Sequence, residues 1–149
     1  MSTVNLQDNL NWILIRSSIV AKQRLIKLAD KYDLTMMQAL TLCSLEPETA
    51  VPMAVIAEFL TCDPSNVTGI VERLQQGAYI ERRESSVDRR VKTIQLTPSG
   101  IDLRENLMDG LSEHDAPNLE QLTSAEIAIL KQLISKTIVP TGTSKHAKN

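Results

Sequence analysis

The segment between Met53 and Gly77 constrains the fold most, because two short helical patterns follow each other there with almost no linker. Asp63 supplies an N-cap acid, and Pro64 suits the first helical position, where its missing N–H has no partner to lose. Gly77 stands where the left-handed residue that ends many helices is found. In each helix the apolar residues recur at i, i+3, i+4 and i+7: Met53, Ile56, Ala57 and Leu60 in the first, and Val67, Ile70, Val71 and Leu74 in the second. Two such amphipathic helices, separated by a turn near residues 61–62, predict a helix-turn-helix.

Two β-like segments follow the helix pair, at residues 78–83 and 91–96, and the second alternates between apolar and polar residues. The polar stretch 84–90 between them predicts a hairpin loop. A helix pair followed by a hairpin is a winged helix-turn-helix arrangement, here across about residues 53–96. We therefore expect a mainly α fold with a small β-hairpin wing, in the α+β class.

Further helices are predicted on both sides of this unit. Ser2 or Thr3 can cap a long first helix that continues to about Lys31. Thr97-Pro98 opens a helix after the hairpin. Two capping boxes, in which a hydroxyl and a Gln or Glu side chain satisfy each other's backbone N–H groups, start two more helices: Thr35 to Gln38 and Thr123 to Glu126.

The flanking helices predict a homodimer. Residues 4–31 and 101–138 carry apolar stripes that find no neighbour in a minimal winged domain, and a symmetric copy of the chain would bury them. We expect residues 1–34 and 98–139 to form a helical dimerisation region built from both termini. Residues 35–97 would form the winged helix-turn-helix domain, and residues 140–149 a flexible tail.

Charge is segregated along the chain. Sixteen Lys and Arg against eighteen Asp and Glu give a net charge of −2 and a pI near 5.7. This overall charge by itself argues against nucleic-acid binding. Residues 82–92 nevertheless hold five basic residues against two acids, and residues 101–126 hold seven acids against Arg104. The second half of the first helix is also basic. The hairpin can therefore act as a basic wing in spite of the acidic average.

This layout predicts binding to double-stranded DNA. The apolar face of the helix at about residues 64–76 would dock on the domain, so that its polar face reaches bases and phosphates in a major groove. The arginine wing at about residues 82–92 would reach a neighbouring minor groove. The candidate contacts on the recognition helix are Ser65, Asn66, Thr68 and Arg73. Two-fold symmetry would place the half-sites of a palindrome about 34 Å apart.

The sequence from Tyr32 to about Leu107 resembles the MarR family of bacterial winged-helix transcriptional regulators. The motifs that carry this resemblance are Leu34-Thr35 with Gln38, Ile56-Ala57-Glu58-Phe59-Leu60, Asn66-Val67-Thr68, Arg82-Arg83, Asp88-Arg89-Arg90 and Leu96-Thr97-Pro98-Ser99-Gly100. The resemblance implies an obligate homodimer, commonly a repressor, that binds a palindromic operator. It also implies that Arg89 and Arg90 reach the minor groove and that Asp88 braces the loop.

The resemblance further implies an effector, because such repressors are commonly released by small phenolic acids, antibiotics or oxidants. Trp12 and Arg16 lie one helical turn apart, where an aromatic carboxylate could bind; the alternative is that Trp12 packs at the dimer interface and Arg16 is solvated. Cys62, in the turn, is the candidate thiol for a redox-sensing alternative, whereas Cys43 suits a small apolar role. Sensors in this family generally place the reactive cysteine near the start of the first helix, and that stretch contains none here.

Other function classes find little support in the residues. No nucleophile–base pair, carboxylate dyad, phosphate-cradling glycine loop or zinc-site spacing can be assembled, so we expect no enzyme, no metal and no cofactor. The apolar runs are too short for a membrane span and the N-terminus does not resemble a signal peptide, so we expect a cytoplasmic protein without a membrane partner. A winged-helix module that binds another protein, with its arginines paired to nearby acids, remains the alternative.

Overall fold

The computed structural model describes residues 8–85, 87–112, 116 and 119–138. They form a mainly helical fold with one small antiparallel sheet, which confirms the predicted fold class. The elements in chain order are α1 (Leu10–Asp30), α2 (Met36–Ser44), β1 (Val51–Pro52), α3 (Met53–Leu60), α4 (Pro64–Gln76), β2 (Ile80–Glu84), β3 (Lys92–Leu96), α5 (Pro98–Gly110) and α6 (Ser124–Ser135).

The predicted first helix is interrupted at Asn9. Asn9 is the N-cap of α1, and its Oδ1 accepts a hydrogen bond from the Trp12 backbone N–H at 3.1 Å. An asparagine with extended backbone does not lie inside a helix, so α1 starts directly after Asn9. The predicted helix is therefore not continuous through Asn9; its expected caps, Ser2 and Thr3, lie outside the described residues.

Both predicted capping boxes are confirmed. The Thr35 hydroxyl accepts from the Gln38 N–H at 3.3 Å, while Gln38 Oε1 accepts from the Thr35 N–H at 2.8 Å. Thr123 and Glu126 make the same reciprocal pair at the start of α6. Thr97 caps α5 by accepting from the Gly100 N–H at 3.1 Å.

The α3–α4 turn is formed by the backbone. Thr61 adopts a left-handed conformation with φ of 53°, and the Cys62 N–H donates to the Ala57 carbonyl oxygen. Asp63 is at the N-cap position of α4, as predicted, but its carboxylate caps nothing. Its own carbonyl oxygen already accepts from the Asn66 N–H at 2.9 Å, which tightens the first turn and replaces the side-chain cap.

The end of α4 differs from the prediction as well. Gly77 has φ of −75° and continues the helical hydrogen bonding to the Arg73 carbonyl, and Ala78 is the left-handed residue, with φ of 58°. The glycine is needed for a different reason: a Cβ at position 77 would lie 2.6 Å from the ring of Tyr79. Packing of that ring, and not backbone conformation, explains Gly77.

The sheet has the order β1-β3-β2, and both strand pairs are antiparallel. The register pairs Ile80 with Leu96 at the base of the hairpin and Glu84 with Lys92 at its tip, which confirms the predicted hairpin. The two-residue strand β1 was not predicted. It pairs Val51 with Ile94, and a strand of two residues has too little periodicity to be recognised locally.

The core lies in the winged unit, where α2, α3, α4 and the base of the hairpin meet, and it extends to α1 and α5. Its fully buried side chains include Leu42, Leu45, Ile56, Val67, Val71, Leu74, Ile80, Ile94 and Leu107. In contrast, α6 buries no residue in this chain. Large apolar side chains of α1 and α6 face outward; they are Leu10, Trp12, Ile13, Ile15, Ile19, Val20, Ile26, Ile129, Leu130, Leu133 and Ile134.

Candidate nucleic-acid interface

Helix α4 presents a polar face to the outside. Val67, Val71 and Leu74 are buried against the domain, which leaves the opposite face uncovered. Of the four predicted contact residues, Ser65, Asn66 and Arg73 are exposed, and Thr68 is only half-exposed. The Thr68 hydroxyl donates to the Pro64 carbonyl oxygen at 3.1 Å. The structure thus brings the four residues onto one helix, but it engages the Thr68 hydroxyl within the first turn.

Three other exposed residues complete the outer face of α4. Gly69, Glu72 and Gln76 follow Ser65 at i+4, i+7 and i+11, which places all four on one line along the helix. This line is opposite the buried Val67, Val71 and Leu74. Asn66 and Arg73 lie beside the line, so the centre of the exposed face includes residues that were not singled out as contacts; their helical spacing was the available signal.

The hairpin loop is held by short-range hydrogen bonds around Asp88. Its Oδ1 accepts from the Arg90 N–H at 2.9 Å, and its carbonyl oxygen accepts from the Val91 N–H at 2.9 Å. The Ser85 hydroxyl oxygen accepts from the N–H groups of Val87 and Asp88 at 3.2 and 3.4 Å. Asp88 thus accepts hydrogen bonds from two backbone N–H groups of the loop, and the side chains of Arg89 and Arg90 are exposed.

The basic side chains of the wing divide into two groups. Arg83 pairs with Glu81 at 2.6 Å, and the Lys92 ammonium pairs with Glu84 at 2.6 Å across the hairpin. The hydrogen bond and the charge of Lys92 hold the pKa of Glu84 below its ordinary value. Within the described part of the chain, no ion pair is found for the exposed side chains of Arg82, Arg89 and Arg90. These three arginines form the uncompensated positive charge of the wing.

Trp12 and Arg16 lie together on the outer face of α1. With Ile19, Val20 and Gln23 they line an open hollow of about 380 Å³. All five lining residues come from α1, so in one chain this hollow is part of a helix surface and is not enclosed by the winged unit. The structure brings the two predicted ligand residues together without surrounding them.

The two cysteines are free thiols in different surroundings. Burial raises the pKa of Cys43, and the nearby Arg104 charge opposes this only in part. Cys62 lies in the α3–α4 turn and lines an open hollow of about 590 Å³ beside Glu58, Asp63 and Asn66. Both thiols are partly buried. Burial makes Cys43 poorly suited to form a thiolate, whereas Cys62 lines an open hollow at the surface.

The described residues form neither a metal-ion site nor a membrane-spanning helix. No three His, Cys, Asp or Glu side chains there come close enough together to hold a metal ion. None of the described helices has both the length and the apolar character to cross a membrane.

A helix pair with an exposed polar helix and a basic hairpin defines a winged helix-turn-helix protein. Residues 34–92 match the MarR family. The chain is also 30% identical over 139 residues to the organic hydroperoxide resistance transcriptional regulator of Bacillus subtilis (strain 168), across 89% of this chain and 95% of the relative. The chain belongs to the MarR family of transcriptional regulators.

Solved structures share the fold. CouR from Rhodococcus jostii RHA1, bound to p-coumaroyl-CoA, superposes with a TM-score of 0.77 at 20% identity, over 93% of this chain and 98% of that one. A point mutant of MepR from S. aureus, bound to an oligodeoxyribonucleotide, superposes with a TM-score of 0.59 at 24% identity, over 87% of this chain and 95% of that one. At these identities the likeness establishes the winged-helix fold.

Proposed function

We propose that this protein is a homodimeric repressor that binds a palindromic site in double-stranded DNA. The observation that carries the proposal is the pairing of an uncovered polar face on α4 with a wing whose Arg82, Arg89 and Arg90 lack ion-pair partners among the described residues. Uncompensated arginines on a hairpin loop suit a narrow minor groove, which carries a strongly negative potential. The proposal assigns the protein to the cytoplasm, with the chromosome, and assigns it no catalytic activity.

Each interface element has a separate task in this proposal. Helix α4 lies in the major groove, where Ser65 and Asn66 contact bases or phosphates and Arg73 a phosphate or a guanine. Thr68 contributes through its methyl group and through the lone pairs of its hydroxyl oxygen, because its O–H is already donated to Pro64. The wing arginines enter the minor groove and supply salt-dependent affinity that is independent of sequence. Asp88 contacts no DNA in this scheme and acts by holding the loop.

The dimer rests on the outward apolar faces of α1 and α6. Because α6 buries no residue in its own chain, its apolar side chains need a partner to leave water. A second copy would cover both helices at once and would leave 35–97 free to bind DNA, with 1–34 and 98–139 as the dimerisation region. In that assembly the Trp12 and Arg16 hollow lies at or near the interface, where an aromatic acid could bind and alter the spacing of the two wings.

The structural neighbours support both parts of the proposal. The MepR mutant is bound to an oligodeoxyribonucleotide, and CouR is bound to p-coumaroyl-CoA, an aromatic acyl ligand. A DNA site and an effector site are thus compatible with this fold. For this chain, the polar face of α4 supports the first, and the aromatic and basic pair on α1 supports the second.

The decisive experiment selects duplexes that bind the purified full chain from a random double-stranded pool. The expected result is an enriched inverted repeat whose half-sites lie about one helical turn apart, bound by a particle whose mass, from light scattering, is two chains. Loss of retention on DNA as salt rises would accompany it. Enrichment of no sequence, with no retention even at low salt, would contradict DNA binding and favour the protein-interaction module.

A redox response is a second candidate for regulation, favoured by the name of the Bacillus subtilis relative, an organic hydroperoxide resistance regulator. In this chain it would depend on Cys62, which lies in the turn directly before α4. The test compares release of the selected duplex by an organic hydroperoxide in the wild type, in Cys62→Ser and in the matched control Cys43→Ser. Release that persists in Cys62→Ser would exclude this thiol as the sensor.

A further inference from the structure

Gly69 lies in the middle of α4, where a glycine is unfavourable. Glycine destabilises a helix interior because it loses the most backbone freedom on folding, and only proline is less favourable there. Its backbone is helical, so no left-handed conformation requires the missing side chain. A Cβ built at this position would meet no atom within 4 Å. Nothing in the described part of this chain explains why position 69 is glycine.

The other described glycines differ in this respect. A Cβ at Gly77 would meet the Tyr79 ring, one at Gly100 would overlap the Tyr79 carbonyl group, and one at Gly110 would lie 2.6 Å from the Leu28 side chain. Each of those glycines allows a close approach within the fold. At Gly69 the absence of a side chain would serve a close approach only if a molecule outside the described chain packs against α4 there.

The position of Gly69 indicates what that partner is. It lies at the centre of the exposed line of α4, between Ser65 and Glu72 and opposite the buried Val71. An α-helix with its side chains is about 10–12 Å across, and the major groove of B-DNA is about 12 Å wide. A helix with its side chains therefore fits this groove with little room to spare, and its backbone comes closest to the base edges where the residue that faces the floor has no side chain.

We propose that Gly69 is the point of closest approach between α4 and the DNA, and that it determines how deeply α4 enters the major groove. This inference rests on the proposed function and deepens it. Without a side chain at position 69, the backbone of α4 can approach the base edges, and the short side chain of Ser65 can reach them. A side chain at position 69 would lift the helix and withdraw Ser65 from its contact, while the wing would continue to hold the phosphates and the minor groove.

The experiment compares Gly69→Ala and Gly69→Leu with the wild type, on the duplex that the wild type selects and on an unrelated duplex. Both replacements are better helix formers, so the melting temperature of the free protein should rise, for Gly69→Ala by roughly 3 °C. Affinity for the selected duplex should fall roughly tenfold per half-site for Gly69→Ala, the loss typical of one disturbed base pair, and therefore about 100-fold for the two half-sites of a homodimer; the loss should be larger for Gly69→Leu. Affinity for the unrelated duplex at low salt should not change.

Gln75→Ala is the matched control, because Gln75 is exposed on α4 but lies on its flank, away from the line through Gly69. It should leave both the selected affinity and the unrelated affinity at wild-type values. Wild-type affinity and sequence preference in Gly69→Leu would overturn this inference alone, as would a lower melting temperature in Gly69→Ala, which would reveal a structural role. Failure of the wild type to select any duplex would instead overturn the proposed function.

Discussion

Arg89→Ala offers the sharpest test of how the wing contributes to binding. The Arg89 side chain is exposed on the hairpin loop and makes no ion pair with the described residues, whereas Arg83 and Lys92 are already neutralised by Glu81 and Glu84. Its removal therefore takes away a cation that is available to DNA and disturbs no pair in the free protein. We expect weaker binding to every sequence and a shallower dependence on salt.

The magnitude follows from counterion release. Each phosphate neutralised contributes about 0.9 to the slope of log affinity against log salt concentration. A homodimer carries two wings, so Arg89→Ala should reduce the slope by about 1.8. Between about 50 and 200 mM salt, this difference corresponds to an affinity decline about 12-fold smaller in the variant than in the wild type. If only one wing of the bound species contacted DNA, the corresponding factor would be about 3.5.

Fluorescence anisotropy of the selected duplex at four or more salt concentrations measures both slopes. Lys136→Ala, which removes the same charge from an exposed position at the end of α6, is the control and should keep the wild-type slope. Parallel lines for Arg89→Ala and the wild type would refute the assignment of this arginine to the DNA. A slope change near 0.9 would retain the contact but contradict symmetric use of both wings.

Two further predictions concern the scaffold. Thr35→Ala removes the hydroxyl that accepts a hydrogen bond from the Gln38 N–H, and it should lower the free energy of unfolding by about 1 kcal/mol. Urea denaturation at fixed protein concentration measures this, with Thr49→Ala in an exposed loop as the control that should change the free energy little. Equal denaturation midpoints for the two variants would contradict the capping argument. Since burial raises the pKa of Cys43, its reactive thiolate is scarcer at neutral pH, and its alkylation should accelerate only above the ordinary thiol range. Timed labelling with peptide mass mapping should therefore find Cys62 modified first near pH 7.5, and preferential labelling of Cys43 would contradict this.

Local sequence patterns were sufficient for most of the elements. The capping boxes of Thr35 and Thr123 span four residues each, and the structure shows both with their reciprocal hydrogen bonds. The apolar spacing in 53–60 and 64–76 predicted α3 and α4 within a residue or two. These features depend on contacts between residues that are close along the chain, so the local sequence is enough to predict them.

Contacts between distant residues decided the rest. β1 forms because Val51 pairs with Ile94 at the edge of β3. Gly77 is required because a side chain there would overlap the Tyr79 ring, whereas Ala78 is the residue with the left-handed backbone. The ion pair between Glu84 and Lys92 across the hairpin likewise neutralises one of the basic side chains of the wing, and a count of basic residues in the sequence cannot show which of them are neutralised.

The sequence by itself determined the order of the helices and strands, the amphipathic faces of the helix pair and the basic character of the hairpin. The apolar positions of α4 also predicted which side of it is covered, and only the tertiary structure decided that no other part of the described chain packs against Gly69 at the centre of the outer face. The physical reason is that periodicity defines a face but not what packs on it. Burial and available charge are properties of the assembled core, where residues far apart in the chain exclude water together.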